Sequence, residues 1–251
     1  MSENAQNQEM ENKKDAVHAG KKTDSLVHDI SILVVITLAA GALLGAAYTV
    51  TRAPVARAQA AAKEEAQRTV MQEADSFAAL AGAADAEESD GAALMKEVGA
   101  RLEEKGLTGT AVEQIDQALD AQGGVIGYVV TCTNSEGYGG DVELMCGVSA
   151  DEEGTLTIRG ISFLALSETA GMGMRAKDTS FLEQFPGKMI REGETFAYTK
   201  SGNPADNEID VISGCTVTTN AVTKDVCAAL EAVNAALQSG GAPDAKEGQE
   251  G

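Results

Sequence analysis

Apolar and polar positions divide this 251-residue chain into three regimes. Residues 1–25 are almost wholly polar, rich in Asn, Gln, Glu and Lys, and predict a disordered tail, since so few apolar side chains cannot offset the entropy of ordering. An apolar run then extends from Ile30 to Val50 without one charged residue. A helix rises about 1.5 Å per residue, so roughly twenty residues cross a hydrocarbon core about 30 Å thick. The run has no amphipathic side, unlike the helix of a soluble core. It predicts a transmembrane helix within residues 26–50.

Beyond the span the pattern changes twice. From Pro54 to about residue 80 the chain is an Ala/Glu/Gln/Arg run, predicted to leave the membrane as a helix. Alanine-rich acidic sequence over 78–104 predicts a second helix or a mobile connection, so residues 51–109 read as a helical connection. From Gly124 the period shortens. Val125–Cys132 is β-prone, Asn134-Ser-Glu-Gly137 has turn chemistry, and Asp141–Val148 alternates. Asp151-Glu-Glu-Gly154 turns again, and Leu156–Leu164 follows. Three antiparallel strands in sequence are the simplest arrangement. Phe181–Phe185 predicts a short helix ending before Pro186. From Thr218 to Leu237, Val222, Val226, Leu230, Val233 and Leu237 recur at helical spacing. Residues 239–251 form a second polar tail, predicted to be disordered. The fold class expected is α+β, an antiparallel sheet with packed helices over 110–238, behind one N-terminal transmembrane helix.

A cleaved signal peptide is the rival for the apolar run, because Ala56-Arg-Ala58 and Ala58-Gln-Ala60 are small-x-small patterns. The run exceeds the usual signal core of roughly 7–15 residues, which favours an uncleaved anchor. Charge leaves the orientation open. Lys13, Lys14, Lys21 and Lys22 precede the span while Arg52, Arg57, Lys63 and Arg68 follow it, a tie by the positive-inside count.

The formal charge of −20 argues against nucleic acid as a partner, since phosphates are repelled. Residues 1–50 hold only −2 of it, so the acid belongs to the following domain. Only His18 and His28 supply imidazoles, and the cysteines (Cys132, Cys146, Cys215, Cys227) have no C-x-x-C spacing. Zinc, iron–sulfur and c-type haem sites are therefore poorly supported. Cys132 and Cys146 flank the first expected hairpin, where a disulfide and a pair of buried thiols are equally open.

Two segments carry candidate chemistry. Asp210-Val-Ile-Ser-Gly-Cys-Thr-Val-Thr-Thr219 places hydroxyls and a glycine where the chain enters the last helix. The first N–H groups of a helix lack partners and carry partial positive charge, so this junction suits a phosphate; an ordinary hydroxyl cap uses the same residue types. Ser167-Glu-Thr-Ala-Gly-Met-Gly-Met174 follows the third expected strand, and its paired glycines permit close backbone approach to a planar or phosphorylated ligand, or simply cap the sheet.

Asp-x-x-Ser-Gly-Cys-Thr over 210–216 resembles the Asp-x-x-Ser-Gly-Ala-Thr flavinylation motif of membrane redox subunits. Ser167–Gly173 is similar to their Ser-Glu-Thr-Pro-Gly-Leu-Gly loop, with Ala170 and Met172 as the departures. Gly137-Tyr-Gly-Gly140, Thr51-Arg-Ala-Pro54 and Lys200-Ser-Gly-Asn match further segments in order. The chain thereby resembles, over about residues 30–237, the G subunit of the Rnf ion-translocating complex and its relative, the C subunit of the sodium-pumping NADH:quinone reductase.

That resemblance implies a covalent flavoprotein subunit of a bacterial cell-membrane translocase, relaying electrons and not self-sufficient as an enzyme. It implies FMN held to Thr216 by a phosphoester, with Ser213, Gly214, Cys215 and Thr218 around the phosphate and N–H groups of 216–220 facing it. Ser167, Glu168, Thr169, Gly171 and Gly173 are expected against the ring, with Tyr138 in the neighbouring hairpin. Asp210 is expected to aid attachment, and Lys177 or Lys200 to act as counter-ion. Partners implied are integral membrane and peripheral subunits, a flavin transferase and lipid, with the N-terminus cytoplasmic and the FMN domain on the outer side. Cys215 in place of alanine is expected to act as packing, with a thiol partner of Cys227 or of the flavin as the other reading. A stand-alone extracytoplasmic flavoprotein and a flavin-free membrane scaffold remain the competing classes.

Overall fold

A computed structural model of the chain describes residues 28–82, 89–191 and 193–239. Of the tails expected over 1–25 and 239–251, the side chains of 1–25 and residues 240–251 lie outside the described residues, although the backbone is already helical from Glu3. The chain divides into two compact units, Met1–Ala60 and Ala61–Gly251.

The first unit is helical. Helix α1 (Glu3–Val70) continues through Pro54 without a break, so the proline does not open a separate helix. From His28 its side chains face outward, among them Leu33, Val35, Leu38, Leu43, Leu44 and Val50. With a mean hydropathy of 2.4 over its most apolar window, the helix is long and apolar enough to cross a membrane. Apolar side chains left exposed in such number need a lipid or protein cover.

The second unit is α+β. Its elements are β1 (Ser76–Gly82), α2 (Asp90–Glu104), β2 (Thr110–Leu119), β3 (Val125–Asn134), β4 (Val142–Ala150) and β5 (Leu156–Leu166). After β5 come a 3-10 turn (Gly173–Lys177), α3 (Thr179–Leu182), β6 (Met189–Ile190), β7 (Ala197–Thr199), β8 (Glu208–Asp210) and α4 (Thr216–Gln238). Strands β1 to β6 form one antiparallel sheet in sequence order, and β7 pairs with β8 in parallel. The three strands expected from sequence are β3, β4 and β5. Three further strands join their sheet. β1 falls in the stretch read as helix, because Ser-Phe-Ala-Ala-Leu-Ala-Gly continues the alanine-rich composition of α1. In β2 an irregularity between Val112 and Gln114 breaks the alternation that marks a strand. The compact unit therefore begins well before residue 110.

The sheet is covered on both faces. On one, α4 and α2 bury Val222, Val226, Val233, Leu94 and Val98 against Val130, Cys132, Leu144 and Cys146. On the other, the end of α1 sets Ala66, Val70 and Met71 on Ala118, Val129 and Met145. Double coverage explains why β3 reads as an almost continuous apolar run. Gly147 faces Gly160 across β4 and β5 and makes the second contact close. A Cβ on Gly147 would lie 2.3 Å from the Val70 carbonyl oxygen.

Helix α4 begins two residues earlier than its apolar spacing indicated, and α3 starts two residues before the expected Phe181–Phe185 and ends at Leu182. Phe181, Phe185 and Phe196 form an edge-to-face and tilted cluster instead. All four cysteines are free. Cys146 stands opposite Val130, and Cys132 opposite Leu144, so the two thiols are diagonal neighbours. Cys215 and Cys227 are twelve residues apart along α4, about 18 Å, and cannot pair. Burial pushes the Cys227 thiol up to about 12 and raises Cys132 and Cys146 as well, which keeps all three protonated and unreactive.

Candidate functional site

The Ser-Gly-Cys-Thr segment turns sharply before α4. The Cys215 N–H donates to the Ile212 carbonyl at 2.9 Å, closing a turn in which Gly214 takes φ +80°. A positive φ at that third turn position favours glycine, so Gly214 sets the direction in which α4 starts. Cys215 is the N-cap, 7% exposed and packed in the core, and its side chain caps nothing. Its side chain packs among the apolar core residues and also borders the cleft described below.

The hydroxyls of this segment have different fates. Thr219 is fully buried, donates to the Cys215 carbonyl at 3.0 Å and accepts from the Ile212 N–H at 3.2 Å. Thr218 is 1% exposed and donates to Glu168 Oε1 at 2.9 Å. Thr216 is half-buried, and among the described residues its hydroxyl has no partner. The N–H groups of Thr216, Val217 and Thr218 also lack acceptors among the described residues, whereas Thr219 N–H bonds Cys215 at 3.0 Å. The donors open to an anion are therefore those of 216–218, narrower than the 216–220 expected. Three aligned N–H groups at the start of a 23-residue helix form a ready anion site.

Glu168 organises the opposite wall. Its Oε1 accepts from the Tyr138 N–H at 3.0 Å, and its Oε2 from the Gly139 N–H at 3.1 Å. With the Thr218 bond, one carboxylate ties the β3–β4 hairpin, the post-β5 loop and α4 together. The glycines follow from this closeness. A Cβ on Gly139 would lie 2.4 Å from the Ser167 carbonyl oxygen, and one on Gly173 would lie 2.7 Å from Glu168 Cδ. Gly139→Ala is expected to destabilise the domain by about 1–3 kcal/mol, because a backbone atom must move; denaturant unfolding measures it.

Between these walls lies a cleft of about 340 Å3. Tyr138, Glu168, Gly173, Gly214, Cys215, Thr216 and Thr218 line it, joined by Met172 and Val217. Tyr138 is 72% exposed, and Met172 and Val217 are each 48% exposed, so an apolar lip surrounds a polar floor. This suits a ligand with a flat apolar body and an anionic end. Met172 and Val217 had no signal at the sequence level beyond their position inside the two motifs.

Other expected site residues stand apart from the cleft lining. Ser167, Thr169 and Gly171 are exposed on its loop, with Gly171 at φ +75°. Ser213 is exposed, and its carbonyl accepts from Arg175 Nη1 at 3.5 Å. Arg175, missed by the sequence reading, is thus the cation in direct contact with the motif. Lys177 and Lys200 are exposed and do not line the cleft. Asp210 is engaged elsewhere. Its Oδ1 accepts from the Gly202 N–H at 2.9 Å, and its own N–H donates to Gln184 at 2.7 Å. It fixes the loop between β7 and β8 rather than facing the ligand space.

A family model described as the FMN-binding domain matches residues 137–231. The chain is 29% identical over 206 residues to the G subunit of the ion-translocating oxidoreductase complex of Methanosarcina acetivorans, covering 82% of this chain and 93% of that relative. It is 34% identical to the G subunit of the Na(+)-translocating ferredoxin:NAD(+) oxidoreductase complex of Acetobacterium woodii, over 54% of this chain and 65% of the relative. Among solved structures, the C subunit of the Na(+)-translocating NADH-quinone reductase of Parabacteroides distasonis aligns with TM-score 0.44 and 19% identity, over 73% of this chain and 94% of that one.

Proposed function

We propose, for a chain that carries an FMN-binding domain and is homologous to G subunits of ion-translocating oxidoreductase complexes, that it is the FMN-bearing G subunit of such a ferredoxin:NAD oxidoreductase complex. Its FMN is joined to Thr216 by a phosphoester. The observation that carries this reading is the contrast among three threonines. Of the three, only Thr216 presents to the cleft a hydroxyl without a partner among the described residues, beside three N–H groups that likewise have none there.

The residues present fit the group. The N–H groups of 216–218 hold the phosphate, and the start of α4 offsets its charge. Arg175, anchored on the Ser213 carbonyl, adds a cation at the rim. Tyr138, Met172 and Val217 give apolar cover to a flat ring, while the Gly171–Gly173 segment lets backbone approach its edge. FMN supplies the electron-carrying chemistry when bound, and the protein supplies position and polarity. The membrane-spanning part of α1 holds the domain beside integral membrane subunits, with the domain on the outer side and the N-terminus in the cytoplasm. A separate flavin transferase installs the cofactor.

Co-expression with such a transferase, followed by denaturing electrophoresis of membranes, tests the reading. A flavin-fluorescent band at this chain is expected. A chain that stays dark with an active transferase present overturns the covalent assignment.

A further inference from the structure

We propose that Glu168 restricts flavin attachment to Thr216 by covering the neighbouring hydroxyl of Thr218. The inference rests on the phosphoester reading and adds a specificity-determining residue to it.

Two threonines of α4 line the same cleft within its first turn. Both are secondary alcohols of equal intrinsic reactivity, so the choice between them must come from their surroundings. Thr216 is half-buried and its oxygen is unengaged among the described residues. Thr218 is 1% exposed, and its hydroxyl points into Glu168 Oε1 at 2.9 Å. The two positions are about 200° apart around the helix, so the carboxylate that covers one does not reach across to the other. Glu168 is itself held in place, since its two oxygens accept from consecutive backbone N–H groups at 3.0 and 3.1 Å. It therefore acts as a fixed shield rather than a mobile side chain.

The attachment chemistry makes such a shield effective. Condensing free FMN with an alcohol releases water and is unfavourable in water, so the donor must be a flavin dinucleotide containing a phosphoanhydride. The threonine Oγ forms a bond to the flavin-side phosphorus while the anhydride P–O bond breaks. The leaving nucleoside monophosphate takes the electron pair, and the hydroxyl proton passes to a base of the transferase or to water. No oxidation or reduction occurs. In-line attack needs an accessible oxygen lone pair and a site tolerant of a phosphate's negative charge. At Thr218 burial keeps the lone pairs from an incoming phosphorus, and the carboxylate seated over the hydroxyl fills the approach and repels the donor's phosphate. Thr216 is half-buried, and among the described residues no carboxylate bonds its hydroxyl. Thr219 needs no shield, because its hydroxyl is fully buried between Cys215 and Ile212.

The test uses the full-length chain in membranes, co-expressed with a flavin transferase, with the modified residue located by peptide mass spectrometry. Label is expected on Thr216 alone in the unaltered chain and nowhere in Thr216→Val. In the double variant Glu168→Ala with Thr216→Val, label is expected on Thr218, at least tenfold above Thr216→Val alone. A role limited to folding would not move the label to a new residue. Label on Thr218 in Thr216→Val with Glu168 present overturns the inference. So does an unlabelled double variant when Glu168→Ala alone is labelled on Thr216. Should Glu168→Ala fail to accumulate, Glu168→Asp withdraws the carboxylate by one methylene and carries the same two outcomes. An unaltered chain with no covalent flavin overturns the phosphoester reading itself; a labelled one with unlabelled double variants overturns this inference alone.

Discussion

Thr216→Val is expected to reduce covalent flavin on this chain to background while leaving the fold intact. Valine keeps the shape of threonine and removes only the hydroxyl. That hydroxyl makes no hydrogen bond among the described residues, so stability is expected to change by no more than about 0.5 kcal/mol. The N–H groups of 216–218 and the turn at Gly214 remain, so any flavin still held without a bond is released on denaturation. Thr218→Val makes the necessary contrast. It removes the donor to Glu168 at 2.9 Å and leaves that carboxylate two N–H partners. Its expected cost is about 1–2 kcal/mol, with label retained on Thr216. Denaturing fluorescence and urea unfolding, read together on both variants, separate chemistry from folding.

A second large effect is expected at Asp225, about two turns along α4 beyond Thr218. This carboxyl is fully buried in α4 against β3 and β4, and neither oxygen has a hydrogen bond among the described residues. Burial pushes its pKa up from 3.8 to about 8, offset only in part by the nearby Asn134 side chain. Asn134 also donates one of its two side-chain N–H groups to Thr110 at 2.6 Å and accepts from the Glu136 N–H at 2.8 Å. The buried thiols of Cys132 and Cys146 are its other ionisable neighbours.

The sign follows from proton counting. Between about pH 4 and pH 8 the folded chain holds this proton and the unfolded chain does not, so stability falls as pH rises, by about 1.4 kcal/mol per unit. The contribution is complete below about pH 4 and lost above about pH 8, for a total on the order of 5 kcal/mol. Asp225→Asn keeps the volume and removes the titration. The stability difference between variant and parent is expected to grow with pH across that window and then level off. Denaturation at a series of pH values checks it; a difference independent of pH would contradict a buried neutral acid.

Legibility of the fold from sequence followed how strongly each element's pattern differed from its surroundings. Strands β3 to β5 were readable because apolar residues alternate or run between turns that Asp120, Asn134 and Asp151 fix through their own side chains. Strand β1 was hidden by alanines that serve helix and sheet alike. β2 was hidden by its bulge. The cleft was readable through the resemblance of its motifs, which brought Thr216, Glu168 and Tyr138 to one place. Which hydroxyl is free was not readable, because hydrogen-bond partners fifty residues away, such as Glu168 for Thr218, leave no local pattern. Asp210 and Lys200 were named through the motif resemblance and Lys177 as a possible counter-ion; none of the three lines the cleft, and Asp210 bonds Gly202 and Gln184. Arg175 is delivered by the 3-10 turn that follows the glycine loop. Asp225 sits three residues beyond Val222, inside the buried stripe of α4, and that spacing was the one available signal of it.

The central claim is a bond between Thr216 and a flavin phosphate. Cleavage after Lys200 and Lys224 releases residues 201–224 as one peptide that contains Ser213, Thr216, Thr218 and Thr219 together. Tandem mass spectrometry of this peptide, from membranes of cells that also express a flavin transferase, measures both the mass and the position of the modification. The predicted result is a peptide heavier by one FMN moiety, with fragments placing it on Thr216. An unmodified peptide, or the added mass on Ser213, Thr218 or Thr219, would contradict the account.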